Sequence, residues 1–206
     1  MQKLLFVLLT VSILAVTGTA FANHLYDDFS KADFPERQAL RGEWTYENNE
    51  AHCVSDPELY KKFKNHGPIL RYDSEFSDGT IEFEFQPKDV ERMIFTLNSA
   101  DAGHVFRMRL ADGKTRQGSR IYGWAGPSKD NDPEMIAVQG VPTLDTMNGK
   151  WVRVKIVIEG DRATVTIGDY SEELKHASIG REKGEVTISF ASGELGVRGV
   201  HIHPAK

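Results

Sequence analysis

The sequence predicts an all-β fold, a sandwich of two antiparallel sheets. Two observations predict it. Apolar and polar residues alternate with a period of two through most of the chain, and paired turn residues punctuate the runs. About a dozen short strands with one apolar face each bury those faces most simply as two packed sheets, and a sandwich is favoured over a closed barrel.

The chain has 206 residues, and its start is expected to lie outside the fold. Lys3 precedes an apolar run from Leu4 to Val16, and "TGTAFA" then places Ala20 and Ala22 in an A-x-A arrangement. Residues 1–22 read as a signal peptide cleaved after Ala22, leaving 23–206 as a single domain. The run is short for a membrane span, which takes ~20 apolar residues. The only cysteine, Cys53, lies well beyond that run, so no lipid-anchor cysteine follows it. The expectation is an exported protein, periplasmic or extracellular, with no membrane insertion after cleavage and unknown protein partners. One cysteine excludes an internal disulfide, and its place in "EAHCVS" reads as a buried, inert thiol. A net charge of −5 argues against binding nucleic acid or anionic membranes through bulk charge.

Along the chain, one short helix is expected first. Asp56 caps it, Pro57 takes the first position, Leu59 and Phe63 share a face, and Gly67 ends it. Strands follow. "GTIEFEFQP" sets Ile81, Phe83 and Phe85 against Glu82, Glu84 and Gln86. "RMIFTLNS" sets Met93, Phe95 and Leu97 against Arg92, Thr96 and Asn98, and "HVFRMRL" sets Phe106, Met108 and Leu110 against Arg107 and Arg109. "WVRVKIVIEG" and "RATVTIG" form a hairpin across Gly160-Asp161, and "GEVTISFAS" and "LGVRGVHIH" close the chain. The irregular segment 127–149 is long enough to fold over one sheet face.

The order of these stretches resembles a known family. "DGTIEFEFQP", "LNSADAGHVFRMRL", "RIYGWAGP", "GKWVRVKIVIEGDRATVTIGD" and "GEVTISFASGELGVRGVHIHP" are similar to successive segments of the 3-keto-disaccharide hydrolase domain family, exported bacterial jelly rolls of concanavalin A-like fold. The resemblance covers most of residues 24–204. It implies cleavage of glycosidic bonds in 3-keto-glycosides and a saccharide held on a concave sheet face. The chain departs from the family's polar pattern at Trp151-Val152, Ser189-Phe190 and Val197 to Val200. A non-catalytic glycan-binding module is therefore the alternative.

The candidate catalytic residues are Glu82, Glu84 and Arg107. The ketone acidifies its neighbouring C–H, so a base with an oxyanion stabiliser suffices for elimination. His104 is a further base candidate, although its parity with Phe106 reads as a core-edge histidine. Asn98, Arg109, Tyr122 and Trp124 are the candidate saccharide contacts: amides and arginines for hydroxyls, flat rings for stacking. Glu82 and Glu84 sit ~6.6 Å apart by strand rise, against ~5–5.5 Å for a retaining glycosidase pair. "EFEFQ" also lacks the Glu-x-Asp-x-x-Glu spacing of sandwich glucanases. No cofactor is expected. His201 and His203 point the same way but lack a third ligand, so no metal site is assigned. "DNDPE" (130–134) offers oxygens for a structural Ca²⁺ without the EF-hand pattern.

Overall fold

The computed structural model describes residues 24–101, 103–126 and 133–205; the expected signal peptide lies outside them. Among the described residues there are fifteen strands. They are β1 (Leu25–Asp27), β2 (Arg37–Leu40), β3 (Trp44–Glu47), β4 (Glu50–Val54), β5 (Ile69–Phe76), β6 (Gly79–Lys88), β7 (Arg92–Asn98) and β8 (His104–Ala111). The remainder are β9 (Arg120–Trp124), β10 (Pro133–Ala137), β11 (Val152–Glu159), β12 (Arg162–Ile167), β13 (Tyr170–Lys175), β14 (Lys183–Ala191) and β15 (Glu194–Pro204). One sheet runs β13-β12-β11-β6-β15-β4-β3, with β1 added against β15; the other runs β10-β9-β8-β7-β14-β5-β2. Every pairing is antiparallel. The expected two-sheet jelly-roll sandwich is present.

The alternation predicts the core correctly. Phe83 from the first sheet stacks on Phe95 from the second at 5.6 Å, and Phe95 meets Phe106 edge-on at 6.4 Å. All three are at most 1% exposed. Side chains that alternate with them point away from the interior, so each sheet has its own outer face.

Helix α1 (Pro57–Lys62) forms as expected at its start, where Asp56 accepts from the Glu58 and Leu59 amides. It stops at Phe63, not Gly67. Lys64 and Asn65 carry positive φ and turn the chain away. Gly67 is required for a different reason: a Cβ there would lie 1.9 Å from the Phe190 carbonyl oxygen. The described part of 127–149 extends a sheet edge as β10 on β9 and adds a 3-10 turn at Leu144–Met147. Residues 130–132 of the candidate Ca²⁺ stretch fall outside the described residues. Cys53 is buried, and burial pushes its thiol up to about 12, consistent with an inert role.

Lys183 is fully buried and donates to the Ser77 and Ile179 carbonyls. Burial pushes its ammonium down to about 8, against a small opposing pull from Asp78. A neutral amine still has two hydrogens for the two carbonyls. The unfolded chain keeps this proton up to the ordinary value of 10.5, so between these pH values it binds more protons than the folded chain. Stability from this group therefore rises with pH across that window. Urea unfolding at several pH values is expected to show the rise in the wild type and a smaller one in Lys183→Met.

Candidate functional site

The outer face of the β10-to-β2 sheet carries a depression of about 330 Å³. Its floor is built from outward side chains of the central strands: Ile94, Thr96 and Asn98 on β7, and Glu185, Thr187 and Ser189 on β14. Arg107 and His104 of β8 stand on one side; Asn65, His66 and Arg41, following α1 and β2, stand on the other. Arg92 donates to the Tyr60 hydroxyl at 2.9 Å, which ties α1 to the groove's end.

His104 reaches this groove through an irregularity. In the β7–β8 ladder Leu97 opposes Phe106, yet Asn98 opposes His104, so Val105 is an extra residue on β8. Val105 and Phe106 are both fully buried. The bulge reverses the parity and turns His104 to the same side as Arg107. The core-edge position expected for His104 is thus corrected.

A hydrogen-bonded relay crosses the floor. Glu185 accepts from Asn98 Nδ2 at 2.6 Å, Asn98 Oδ1 faces His104 Nδ1 at 2.7 Å, and His104 Nε2 faces Arg107 Nη2 at 3.0 Å. Its polarity follows from the ends. A carboxylate only accepts, so the Asn98 amide nitrogen must face Glu185, and its oxygen must accept from His104. A guanidinium only donates, so His104 Nε2 must present a lone pair. Glu185 is anchored from the far side by Arg71 Nε at 2.6 Å, and Arg107 Nε donates to Thr96 Oγ1 at 3.2 Å. Burial, together with the charges of Arg109 and Arg92, holds the Arg107 guanidinium below its ordinary value, and only Tyr122 opposes this.

The candidate residues divide between two faces. Glu82 and Glu84 lie on β6, in the other sheet, and face outward on the opposite side of the sandwich from Arg107. There Glu82 accepts from Arg153 at 3.0 Å and lies 3.3 Å from Lys155, while Glu84 accepts from Arg198 at 2.8 Å. Burial alone would raise the Glu82 carboxyl, but Lys155 and Arg153 outweigh it and hold the group below its ordinary value. That direction makes Glu82 a weaker base than an ordinary carboxylate, against the role expected of it. Asn98 and Arg107 do share the groove. Arg109 is 7% exposed; it donates to Gln117, and its Nε has no hydrogen-bond partner among the described residues. Tyr122 is half-buried beside it. Trp124 is 3% exposed. Arg107 covers its ring at 5.2 Å and His104 packs on it at 4.9 Å, so it is a wall that props the relay, not an open stacking face.

Glu185, Thr187 and Ser189 were missed as site residues. Their signal was available, because they alternate with Val186, Ile188 and Phe190 in "GEVTISF". What the alternation lacked was the position of β14 at the sheet's centre, between β7 and β5.

No family model and no curated protein sequence matches the chain. Solved structures do. The chain is similar to the carbohydrate-binding module CBM66 from Bacillus subtilis, with TM-score 0.57 and 14% identity over 80% of this chain and 93% of that one. It is similar to the Bacillus licheniformis beta-glucanase, with TM-score 0.59 and 9% identity over 89% and 99%. A native glycosidic hydrolase gives TM-score 0.64 and 12% identity over 91% and 99%. At such identities the likeness is one of fold, the jelly roll shared by these glucanases and carbohydrate-binding modules.

Proposed function

We propose that this protein is a carbohydrate-active jelly roll that holds a saccharide in the groove over β7 and β14, and that it cleaves the glycosidic bond of 3-keto-glycosides there. The observation that carries this reading is the Glu185–Asn98–His104–Arg107 relay on the groove floor. It presents an imidazole lone pair beside a guanidinium, the pair of groups an elimination next to a ketone requires. The sugar's keto oxygen takes the Arg107 hydrogen bond, and the His104 Nε2 lone pair turns to the sugar. The imidazole removes the proton from C2, and the C–H electrons move into an enolate on the keto oxygen. The enolate collapses and expels the C1 oxygen, which leaves with its bond pair and takes up a proton. Water adds across the resulting C1=C2 bond and returns the free keto-sugar.

A second reading, a glycan-binding module without turnover, is favoured by a separate observation. Glu185 is the one carboxylate among the described groove residues, and Arg71 and Asn98 already occupy it. The similarity to CBM66 also supports it. A panel of 3-keto-disaccharides and their unoxidised parents separates the two. Release of keto-sugar that His104→Ala abolishes while binding persists supports the enzyme. Binding without release supports the module, and neither binding nor release overturns both. Export to the periplasm or medium belongs to the same proposal; no helix among the described residues is long and apolar enough to cross a membrane.

A further inference from the structure

On the other sheet, three histidines converge at the junction of the first and last strands. β1 pairs with β15 so that Leu25 opposes Ile202 and Tyr26 opposes His201. Leu25 and Ile202 are buried in the core, so their neighbours His24, His201 and His203 point outward. Continuing the register sets His24 against His203. His201 and His203 reach this side because of a second irregularity. In the β6–β15 ladder Arg198 opposes Glu84 and His201 opposes Glu82, one residue too many on β15. Gly199, at φ 58°, takes up the extra residue. A left-handed glycine is the usual device for such a bulge. Without it, His201 and His203 would share the inward parity of Val197.

The nitrogens are close. His24 Nε2 lies 2.5 Å from His201 Nε2 and 3.3 Å from His203 Nε2, and His203 Nε2 lies 2.7 Å from His201 Nδ1. One donor atom from each residue can be chosen so that all three fall within 4.8 Å of one another. Hydrogen bonds alone do not account for this cluster. An imidazole nitrogen carries either one hydrogen or one lone pair in the ring plane, so His24 Nε2 cannot satisfy two neighbouring nitrogens at once. A cation between them satisfies all three. Tetrahedral ligands at ~2.0–2.1 Å from an ion stand ~3.3 Å apart, which matches the His24–His203 spacing, whereas the two contacts to His201 are shorter and must open on binding. Rotation about χ2, a broad torsion, brings the three lone pairs onto one centre.

We propose that His24, His201 and His203 form a binding site for a late first-row divalent ion of the Zn²⁺, Ni²⁺ or Cu²⁺ class, which clasps β1 onto β15. Three neutral imidazoles suit these ions and not Ca²⁺ or Mg²⁺, which demand oxygen. The fourth position is open to water or to Glu82, the cross-strand neighbour of His201. The site is independent of the groove, since it lies on the other sheet. Because β1 has only three residues, an ion held from both strands secures an element that otherwise has little ladder to hold it.

The test uses the untagged protein and the metal ions alone. Calorimetric titration with Zn²⁺ or Ni²⁺ is expected to give one ion per chain. Co²⁺ is expected to give the intense visible absorption of a tetrahedral site, and the thermal midpoint is expected to rise with the ion. His24→Ala, His201→Ala and His203→Ala should each weaken binding by at least ~10-fold and remove the thermal shift, whereas His52→Ala should not. Circular dichroism confirms that each variant is folded. Because His24 is exposed and precedes β1, its substitution leaves the core intact. Absence of stoichiometric binding, or binding that survives His24→Ala undiminished, overturns the proposal.

Discussion

Arg37→Ala is expected to cost about 3–5 kcal/mol of stability, the range for removing one partner of a buried ion pair. Arg37 of β2 and Asp27 of β1 belong to different sheets, and both side chains are 1% exposed. Arg37 Nη1 donates to Asp27 Oδ1 at 2.9 Å and to Oδ2 at 2.7 Å. Asp27 also accepts from the Tyr72 hydroxyl at 2.9 Å and from the Phe29 amide at 3.0 Å. Arg37 Nη2 is shared between the Lys31 and Ala32 carbonyls, and the guanidinium lies 4.1 Å from the Tyr46 ring centroid. Both terminal guanidinium nitrogens are thus used, and the pair pins the two sheets together at one end of the sandwich. Removing the arginine leaves a buried carboxylate without its counter-charge. The cost comes from that orphaned group, so the two single substitutions are not additive. Urea unfolding should show Arg37→Ala and Asp27→Ala each strongly destabilised, with Arg37→Met/Asp27→Leu closer to the wild type than the sum of the single effects. A loss below about 1 kcal/mol for Arg37→Ala would contradict this account of the pair.

The fold was legible where the period of two holds unbroken. In β6, β7 and β11 the apolar parity gave the inner face residue by residue, because a strand with one buried face cannot slip without exposing it. β13 (Tyr170–Lys175) was not anticipated, since its only fully buried residue is Leu174. The candidate site was legible only in part, for two physical reasons. Parity gives the side of a strand but not its sheet, so outward Glu82 and outward Arg107 look alike in sequence and lie on opposite faces. The bulges at Val105 and Gly199 shift parity by one, and both sit where function is inferred. Together they re-aim three histidines outward, His104 at the first and His201 and His203 at the second, that strict alternation turns inward. Gly199 leaves a trace in the sequence, a glycine between Arg198 and Val200, whereas Val105 leaves none.

Arg107→Ala is expected to weaken saccharide binding by ~10–100-fold, the worth of a hydrogen bond from a charged donor. The effect comes from two losses. The guanidinium is the donor offered to the sugar oxygen, and its removal also uncovers the Trp124 ring. Arg107→Lys should recover little, because a point charge cannot hold Thr96 and the ligand together as a planar fork does. Glu185→Gln probes the other end of the relay. A glutamine can donate as well as accept, so it no longer fixes the Asn98 amide, and the His104 tautomer loses one of its two determinants, the one that persists when the sugar takes the Arg107 bond. Its effect should fall on kcat rather than KM if the groove turns over substrate, and binding should change little. The same measurements on Glu82→Gln and Glu84→Gln should match the wild type, because those carboxylates are paired with Arg153, Lys155 and Arg198 on the far face. Loss of binding or turnover in these two variants, with Arg107→Ala unaffected, would move the ligand to the other sheet and overturn the groove assignment.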